Sequence, residues 1–326
     1  MRTLNSVVTL WAAVLCAGLA LAQDAVKLEY KWKPGDTLRY ELTAKGERKV
    51  SLTAEGDKAA SPAAPSSVEE TLSADLACAV ASVNADGSAD LSVKFTRFAY
   101  RADITAGTQK TKLELTADGS AVKLTKNGQV IADASKPEAS DLSKLKTLLA
   151  DPVKMRLAKT GMLVSLEPVE AVKELGGQAL DCAALAKNSQ PQLSDKPVKP
   201  GDSWKLEQSL LLPNVAKPKL TATNTFEKVE QVGGNKCARI AVSGKATADA
   251  GAGDLNLAGR ALKAEKYEQT LSGFVLFDIE AGRLTSQELQ TQTTVTGKLE
   301  PPADKPDASR QTGTITRTMN VKVQSK

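Results

Sequence analysis

There is no histidine anywhere in the 326 residues of this chain. That absence removes the Ser-His-Asp and Cys-His arrangements that activate a nucleophile, imidazole metal sites, and the one side chain whose ordinary pKa lies between pH 5 and 8. Aromatic residues make up only 4%, a thin supply for the stacking platforms that hold single-stranded nucleic acid. Cysteine occurs four times, at Cys16, Cys78, Cys182 and Cys237. None of these has Cys-x-x-Cys spacing, so neither a zinc site nor a thioredoxin-like pair is indicated. Charge of one sign never accumulates: lysines alternate with acids, as in "KVSLTAEGDK" and "EKVEQVGGNK", and the formal net charge is +5. Without a run of cations to neutralise a row of phosphates, nucleic acid is not expected as a partner. Nothing in the pattern calls for a metal or another cofactor.

Long apolar runs are confined to the N-terminus. Arg2 precedes an apolar stretch from Val7 to Ala22 that closes on Ala20-Leu21-Ala22 before Gln23, the pattern of a cleaved signal peptide over residues 1–22. The stretch is short of the roughly 20 apolar residues a spanning helix needs. Cys16 follows Leu15, where a lipid-attachment signal wants Gly, Ala or Ser, so cleavage near Ala22-Gln23 is favoured over a lipoprotein at Cys16. The expectation is an exported chain, periplasmic or extracellular, with no transmembrane segment after processing. Cys78, Cys182 and Cys237 would then sit where disulfides are permitted. Three is odd, which leaves at least one thiol free or paired between chains. Cys78 shares strand parity with Leu72, Leu76 and Val80, a position for packing without chemistry.

What is abundant is strand-like alternation. Val26, Leu28, Tyr30 and Trp32 share one parity, and Leu38, Tyr40 and Leu42 share one after the turn at Pro34-Gly35. Leu72–Val83 and Ala89–Tyr100 flank "NADGS", with further hairpin signals at "TADGS" and "KNG". Phe274–Phe277 is nearly continuous apolar and leads through a turn into a Thr/Gln-rich strand over 283–297. The final strand carries Ile315, Met319, Val321 and Val323 on one parity.

The tetrapeptide Lys-Pro-Gly-Asp occurs twice, at Lys33–Asp36 and Lys199–Asp202. Val83, Ala89, Leu91 and Val93 recur at one constant spacing as Val232, Ala238, Ile240 and Val242. These matches point to an internal duplication, although recycled turns and alternation in any antiparallel sheet explain them too. The expected fold is mainly β: two similar antiparallel, curved β-sheet units joined by a short helical segment. The first unit spans 23–167, with a mobile Ala/Pro/Ser loop at 55–67 and a short helix at 140–150. A helical connector spans 168–192, where Val169, Val172 and Leu175 are spaced as on one helix face. The second unit spans 193–326, with loops at 246–259 and 300–312.

The order "LxYKWKPGDxLRYE", then "VKPGDSW", then "GFVLFDIEAGRL" before a Thr/Gln-rich strand resembles uncharacterised families of secreted bacterial proteins from planctomycete-like genomes. The likeness spans most of the chain after residue 22, rests on turn and hairpin motifs, and brings no functional residue to carry over. In layout alone, the chain also resembles the curved sheets of periplasmic lipoprotein carriers and related lipid-binding half-barrels. Layout does not imply function.

Candidate chemistry is sparse. Asp278 and Glu280 are paired carboxylates beside a turn, where acids ordinarily cap amides. Asn84, Asp86 and Asp90 are possible calcium ligands, but the glycine comes too early for an EF-hand loop and Phe95 stands where the bidentate Glu belongs, which favours a plain hairpin. "GAGD" at Gly251–Asp254 lacks the lysine and helix of a phosphate loop. No catalytic, cofactor-binding or metal residue is assigned. The function read from the sequence is a non-catalytic exported protein that binds an apolar ligand or lipid in a curved sheet. The alternative is a structural or protein-interaction component of the cell envelope, and a histidine-independent hydrolase is the weakest reading.

Overall fold

The computed structural model describes residues 24–54, 66–118, 121–133, 142, 146, 150–167, 172–175, 178–180, 190–209, 218–248, 254–257, 260–300 and 311–326. The alternating segments form strands: β1 (Thr37–Ala54), β2 (Ser66–Val83), β3 (Ala89–Ala106), β4 (Gln109–Asp118), β5 (Ala121–Lys126), β6 (Gln129–Asp133), β7 (Val153–Leu157), β8 (Leu163–Leu166), β9 (Val172–Leu175), β10 (Gln178–Leu180), β11 (Ser203–Ser209), β12 (Lys219–Val232), β13 (Asn235–Ala248), β14 (Asp254–Leu257), β15 (Arg260–Asp278), β16 (Arg283–Leu299) and β17 (Gln311–Ser325). Their order in the main sheet is β11-β12-β13-β15-β16-β17-β1-β2-β3-β4-β5-β6, with β14 beside β15 and β7-β8 branching from β3.

The chain therefore starts in the middle of the sheet, runs outward to β6, returns to the far edge at β11 and works back until β17 lies against β1. Pairs such as Leu42 with Val323 and Val50 with Ile315 set the register of that central seam. This corrects the expectation of two separate sheet units. Both β1 and β17 would be long exposed edges on their own, each with a row of open amide and carbonyl groups, and pairing them removes that liability. The sheet does not close, since β11 and β6 remain its edges.

The helical connector also needs correction. Its described residues form a small antiparallel ladder of β9 and β10, with Gln178 opposite Leu175 and Leu180 opposite Val172. Gly176-Gly177 falls in sequence between them, a pair that costs a helix about 1 kcal/mol per glycine. Leu142, Lys146 and Ala150 are helical, and Leu142 is buried in the core; the rest of 140–149 lies outside the described residues. Of the three expected loops, Ser66 and Ser67 open β2, Ala246–Ala248 belong to β13, Asp254–Leu257 form β14, and Gln311 and Thr312 open β17. Alternation continues into each of those stretches, so the ladders extend further than their composition suggests.

The two Lys-Pro-Gly-Asp segments make the same turn. The Asp36 amide donates to the Lys33 carbonyl at 3.1 Å and the Asp202 amide to the Lys199 carbonyl at 3.0 Å. Gly35 and Gly201 supply φ values of 87° and 97°, the left-handed conformation that a type II turn needs at its third position. Each glycine amide then donates to the next strand, Gly35 to Val80 at 2.9 Å and Gly201 to Phe226 at 2.7 Å. The hairpins beyond the turns differ. Val83 pairs with Ala89 across Asn84–Ser88, whereas Val232 pairs with Asn235 across Gly233-Gly234 alone. The constant spacing in the sequence does not carry over into matched register, and the repeated turn is what the two halves share.

Alternation gives the sheet an apolar inner face and a charged outer one. One cross-strand row runs Trp204, Asn224, Val242, Gly273, Leu289, Val321, Ala44, Leu72, Tyr100, Leu115 and Leu124 from β11 to β5. Outward residues pair by charge, as Lys322 with Glu288 at 3.1 Å and Arg97 with Asp75 at 3.1 Å, and the Arg239 guanidinium lies 3.9 Å over the Phe274 ring. Such exposed pairs contribute only about 0–1 kcal/mol each; burial of the inner face contributes most of the stabilisation. Register shifts at Phe226/Lys228, Ala264/Lys266 and Leu276/Phe277 mark bulges, which bend the strands locally.

A strap closes one end of that inner face. Residues 24–36 cross it in extended form: Val26 bridges Val198, Tyr30 donates its amide to Lys159 at 2.7 Å, and Lys31 donates to Gly282 at 3.0 Å. Leu28 and Tyr30 are buried. Tyr30 stacks on Trp32 with ring centroids 4.6 Å apart and meets Phe277 edge-on at 5.1 Å.

Candidate functional site

The candidate site is a pocket of about 270 Å³ on the inner face of β12, β13, β15, β16 and β17. Its floor follows strand parity: Ala222 and Asn224 on β12, Ile240 and Val242 on β13, Leu271 and Val275 on β15, Leu289 on β16, and Val321 and Val323 on β17. The segment Gln190–Leu193, with Gly161 and Leu163, forms its end wall. Small-molecule sites usually span roughly 300–1,000 Å³ with apolar linings and a few placed polar groups. This pocket falls just below that range and matches the lining.

Gly161 is the tightest point of the wall. Its φ is 78°, and a β-carbon there would lie 2.4 Å from the Pro191 carbonyl oxygen and 2.8 Å from Cε2 of Tyr30. The Tyr30 hydroxyl donates to that same Pro191 carbonyl at 3.0 Å. Asn224 and Trp204 hold the next residue, donating to the Gln192 carbonyl at 3.2 Å and 3.4 Å. The end wall is thus fastened from the N-terminal segment on one side and from β11 and β12 on the other.

The polar groups in the wall are few. Gln287 and Asn224 are buried. Gln190 is 5% exposed, and neither atom of its amide completes a hydrogen bond of normal geometry. The Tyr40 hydroxyl is its neighbour and is equally buried without a completed bond. Burial raises the Tyr40 pKa well above that of an ordinary phenol, with the neighbouring Cys78 thiol adding to the effect. The Thr/Gln-rich strand β16 serves two faces: Gln287 and Thr291 point into the pocket, while Glu288 faces outward to Lys322.

The residues singled out in the sequence do not assemble into this site. Asp278 is buried and accepts from the amides of Glu280 at 3.0 Å and Ala281 at 2.7 Å, so it caps the β15-β16 turn. Glu280 points to solvent, 3.8 Å from the Lys236 ammonium. The two carboxylates share no acid-base geometry. In the β2-β3 turn, Asp86 accepts from the Ser88 amide at 2.9 Å and its hydroxyl at 2.6 Å, and Asn84 donates to the Ser88 hydroxyl at 3.1 Å. The Ser88 bonds hold the Asp86 carboxyl below the usual carboxylate range. Asp90 accepts from Arg156 at 2.7 Å and from Ser82 at 2.7 Å, and the arginine bond likewise lowers its pKa. Those oxygens are engaged within the turn and its neighbouring strands rather than converging on a cation. Among the described residues, no group of three or more Cys, Asp or Glu side chains is placed to hold a metal ion.

Cys78 and Cys237 are both reduced and buried; Cys182 and Gly251–Gly253 lie outside the described residues. Burial pushes the Cys78 thiol up to about 12. No described helix is long and apolar enough to cross a membrane.

The sequence reading missed Gln190, Gly161 and the pocket floor. Alternation put Val242 and Val321 each on one parity with their apolar neighbours, but nothing local says which inward residues meet a partner and which border a space.

No family model matches the chain, and no curated protein matches it. Among solved structures it is similar to lipovitellin, described in terms of its lipid–protein interactions, at 10% identity and a TM-score of 0.44, over 91% of this chain and 25% of that one. It is also similar to an outer membrane channel from Pseudomonas putida F1, at 7% identity and a TM-score of 0.23, over 92% of this chain and 98% of that one. The chain spans about a quarter of the lipovitellin chain it matches.

Proposed function

We propose that this chain is an exported, non-catalytic protein that holds an apolar ligand or lipid against the inner face of its sheet. The observation that carries this reading is the pocket itself: its floor of Ala222, Ile240, Val242, Leu271, Leu289 and Val321 is apolar and borders open space. A core residue gains from filling such space, because apolar surface left beside water costs roughly 25 cal/mol per Å². A bound apolar molecule recovers that free energy.

The test uses purified, delipidated protein and a neutral naphthylamine probe whose emission rises in apolar surroundings. Saturable binding of one probe per chain, displaced by long-chain amphiphiles, is the expected result. Failure of both the probe and mixed membrane lipids to bind would refute the reading.

A second reading, an envelope component that contacts other proteins, is favoured by one separate observation. Val130 and Ile131 on the edge strand β6 are 57% and 53% exposed, and an open edge with apolar side chains is a template for an added strand. Crosslinking in cells through a photoreactive residue at position 130 would capture a reproducible protein neighbour if that reading holds.

A further inference from the structure

Beyond the pocket floor, the inner face carries a charged cluster that its position does not otherwise explain. Glu70 on β2 has a side chain only 2% exposed. Arg317 on β17 donates through Nη2 to Glu70 Oε2 at 2.5 Å, and Arg48 on β1 brings its Nε within 3.7 Å of Glu70 Oε1. Two guanidiniums therefore flank one carboxylate on the inner face. The Arg317 Nε is buried and has no acceptor among the described residues, while the side chain as a whole is 37% exposed, so the group is reachable. A buried guanidinium N–H without an acceptor is costly, and an anionic oxygen is the strongest acceptor that could meet it.

The register places Arg317 two strands from the Gln269 row of the pocket, at the end away from Gln190–Leu193. Gln269, which lines the pocket, pairs with Thr293, and Thr293 pairs with Arg317. Thr291, also lining, pairs with Met319, one inward position from Arg317. From the closed end at Val275 to the Gln269 row is roughly 20 Å along β15, at about 3.3 Å per residue, the reach of a long acyl chain. Around the charged pair the neighbours are neutral donors. The Tyr267 hydroxyl donates to Gln269 Oε1 at 2.9 Å. Tyr100, one inward row from Glu70, stays protonated because burial, reinforced by the Glu70 carboxylate, raises its pKa to about 12.

We infer that the pocket takes a single-chain amphiphile with an anionic head, carboxylate or phosphate monoester, its chain running toward Gln190–Leu193 and its head meeting Arg317 beside Arg48. This rests on the apolar-ligand reading above and adds the sign of the head group. Glu70 acts as a resident counter-ion that holds the arginines in place between ligands. A role confined to satisfying Glu70 predicts no preference for anionic heads.

The experiment measures displacement of the neutral naphthylamine probe by a fatty acid, by the alcohol of equal chain length, by the corresponding alkyl phosphate and by inorganic phosphate alone. The anionic amphiphiles should compete about tenfold better than the alcohol, the scale of a charge-assisted hydrogen bond, and inorganic phosphate should not compete. Arg317→Gln should bring the ratio of acid to alcohol affinity to about 1, and Glu70→Gln, which removes the competing carboxylate, should raise it. Because these two changes act in opposite directions on a ratio, a general loss of folding in either variant cannot imitate the pattern. Equal binding of acid and alcohol, or a ratio indifferent to both substitutions, would overturn the head-group assignment while leaving the pocket reading intact. No probe binding at all would overturn both.

Discussion

Tyr30 and Pro191 stand 161 positions apart in the chain, yet the tyrosine hydroxyl donates to the proline carbonyl at 3.0 Å. The bond ties the strap to the end wall of the pocket, with Gly161 wedged between the two residues. The wall is therefore a tertiary device assembled from three distant stretches, and its fastening can be tested piece by piece.

Tyr30→Phe should lower the unfolding free energy by about 1 kcal/mol, the usual net worth of one hydrogen bond. Gly161→Ala should cost more, on the order of 1–3 kcal/mol, because it adds a clash with Pro191 and Tyr30 to a left-handed backbone. Urea denaturation followed by tryptophan fluorescence measures both. A Gly161→Ala variant as stable as the parent would contradict the packing described for the wall.

Val242→Trp should fill the pocket from its floor. Probe affinity is expected to drop at least about tenfold, since one buried aromatic side chain displaces most of a site this small. The transition in urea should stay cooperative, which separates blockage from unfolding.

Gln190→Leu addresses the amide that lacks hydrogen bonds inside the wall. An unsatisfied buried polar group costs about 1–3 kcal/mol, so the ligand-free variant is expected to be more stable by roughly 1 kcal/mol. Destabilisation instead would mean that the amide is satisfied, for instance through water shared with Tyr40.

The pH dependence of stability has a definite shape. With no histidine, nothing of ordinary imidazole pKa titrates between pH 5 and 8, and stability should be nearly flat there. The folded pKa of Cys78, Tyr100 and Tyr267 is raised to about 12, chiefly by burial. The unfolded chain then loses these protons first as pH climbs past about 9–10, and stability falls through that window toward 12. On the acid side Asp86, Asp90 and Glu230 are lowered by their hydrogen bonds, so their contribution is present above the ordinary carboxylate range and is lost as pH drops below it. Melting temperatures at half-unit pH steps would show the plateau and both flanks. At pH 8 native Cys78 should also resist alkylation that denatured protein undergoes readily.

Much of the fold was legible in the order of residues. Alternation at Leu38, Tyr40 and Leu42, or at Ile240 and Val242, states which side chains share a face, because the pleat has a period of two. Lys-Pro-Gly-Asp states a type II turn twice, because proline fixes one dihedral and glycine alone takes the next without strain. Within 168–192 the described residues Val172–Leu175 and Gln178–Leu180 are strands and not helix; apolar residues three apart also occur by chance in short strands, and a window that brief holds too few positions to tell the periods apart.

By itself, then, the sequence determined the material: a β protein with amphipathic strands, two matching corners, and no imidazole chemistry. Tertiary structure alone decided that β17 would pair with β1 to make one sheet of two runs, since strand edges choose partners by what else is left unpaired. It also decided that Gln190 would be buried beside a space, and that Arg48, Arg317 and Glu70 would meet on the inner face. These are facts of long-range register, in which residues hundreds of positions apart become neighbours at the roughly 4.8 Å spacing of adjacent strands, and no local pattern records them.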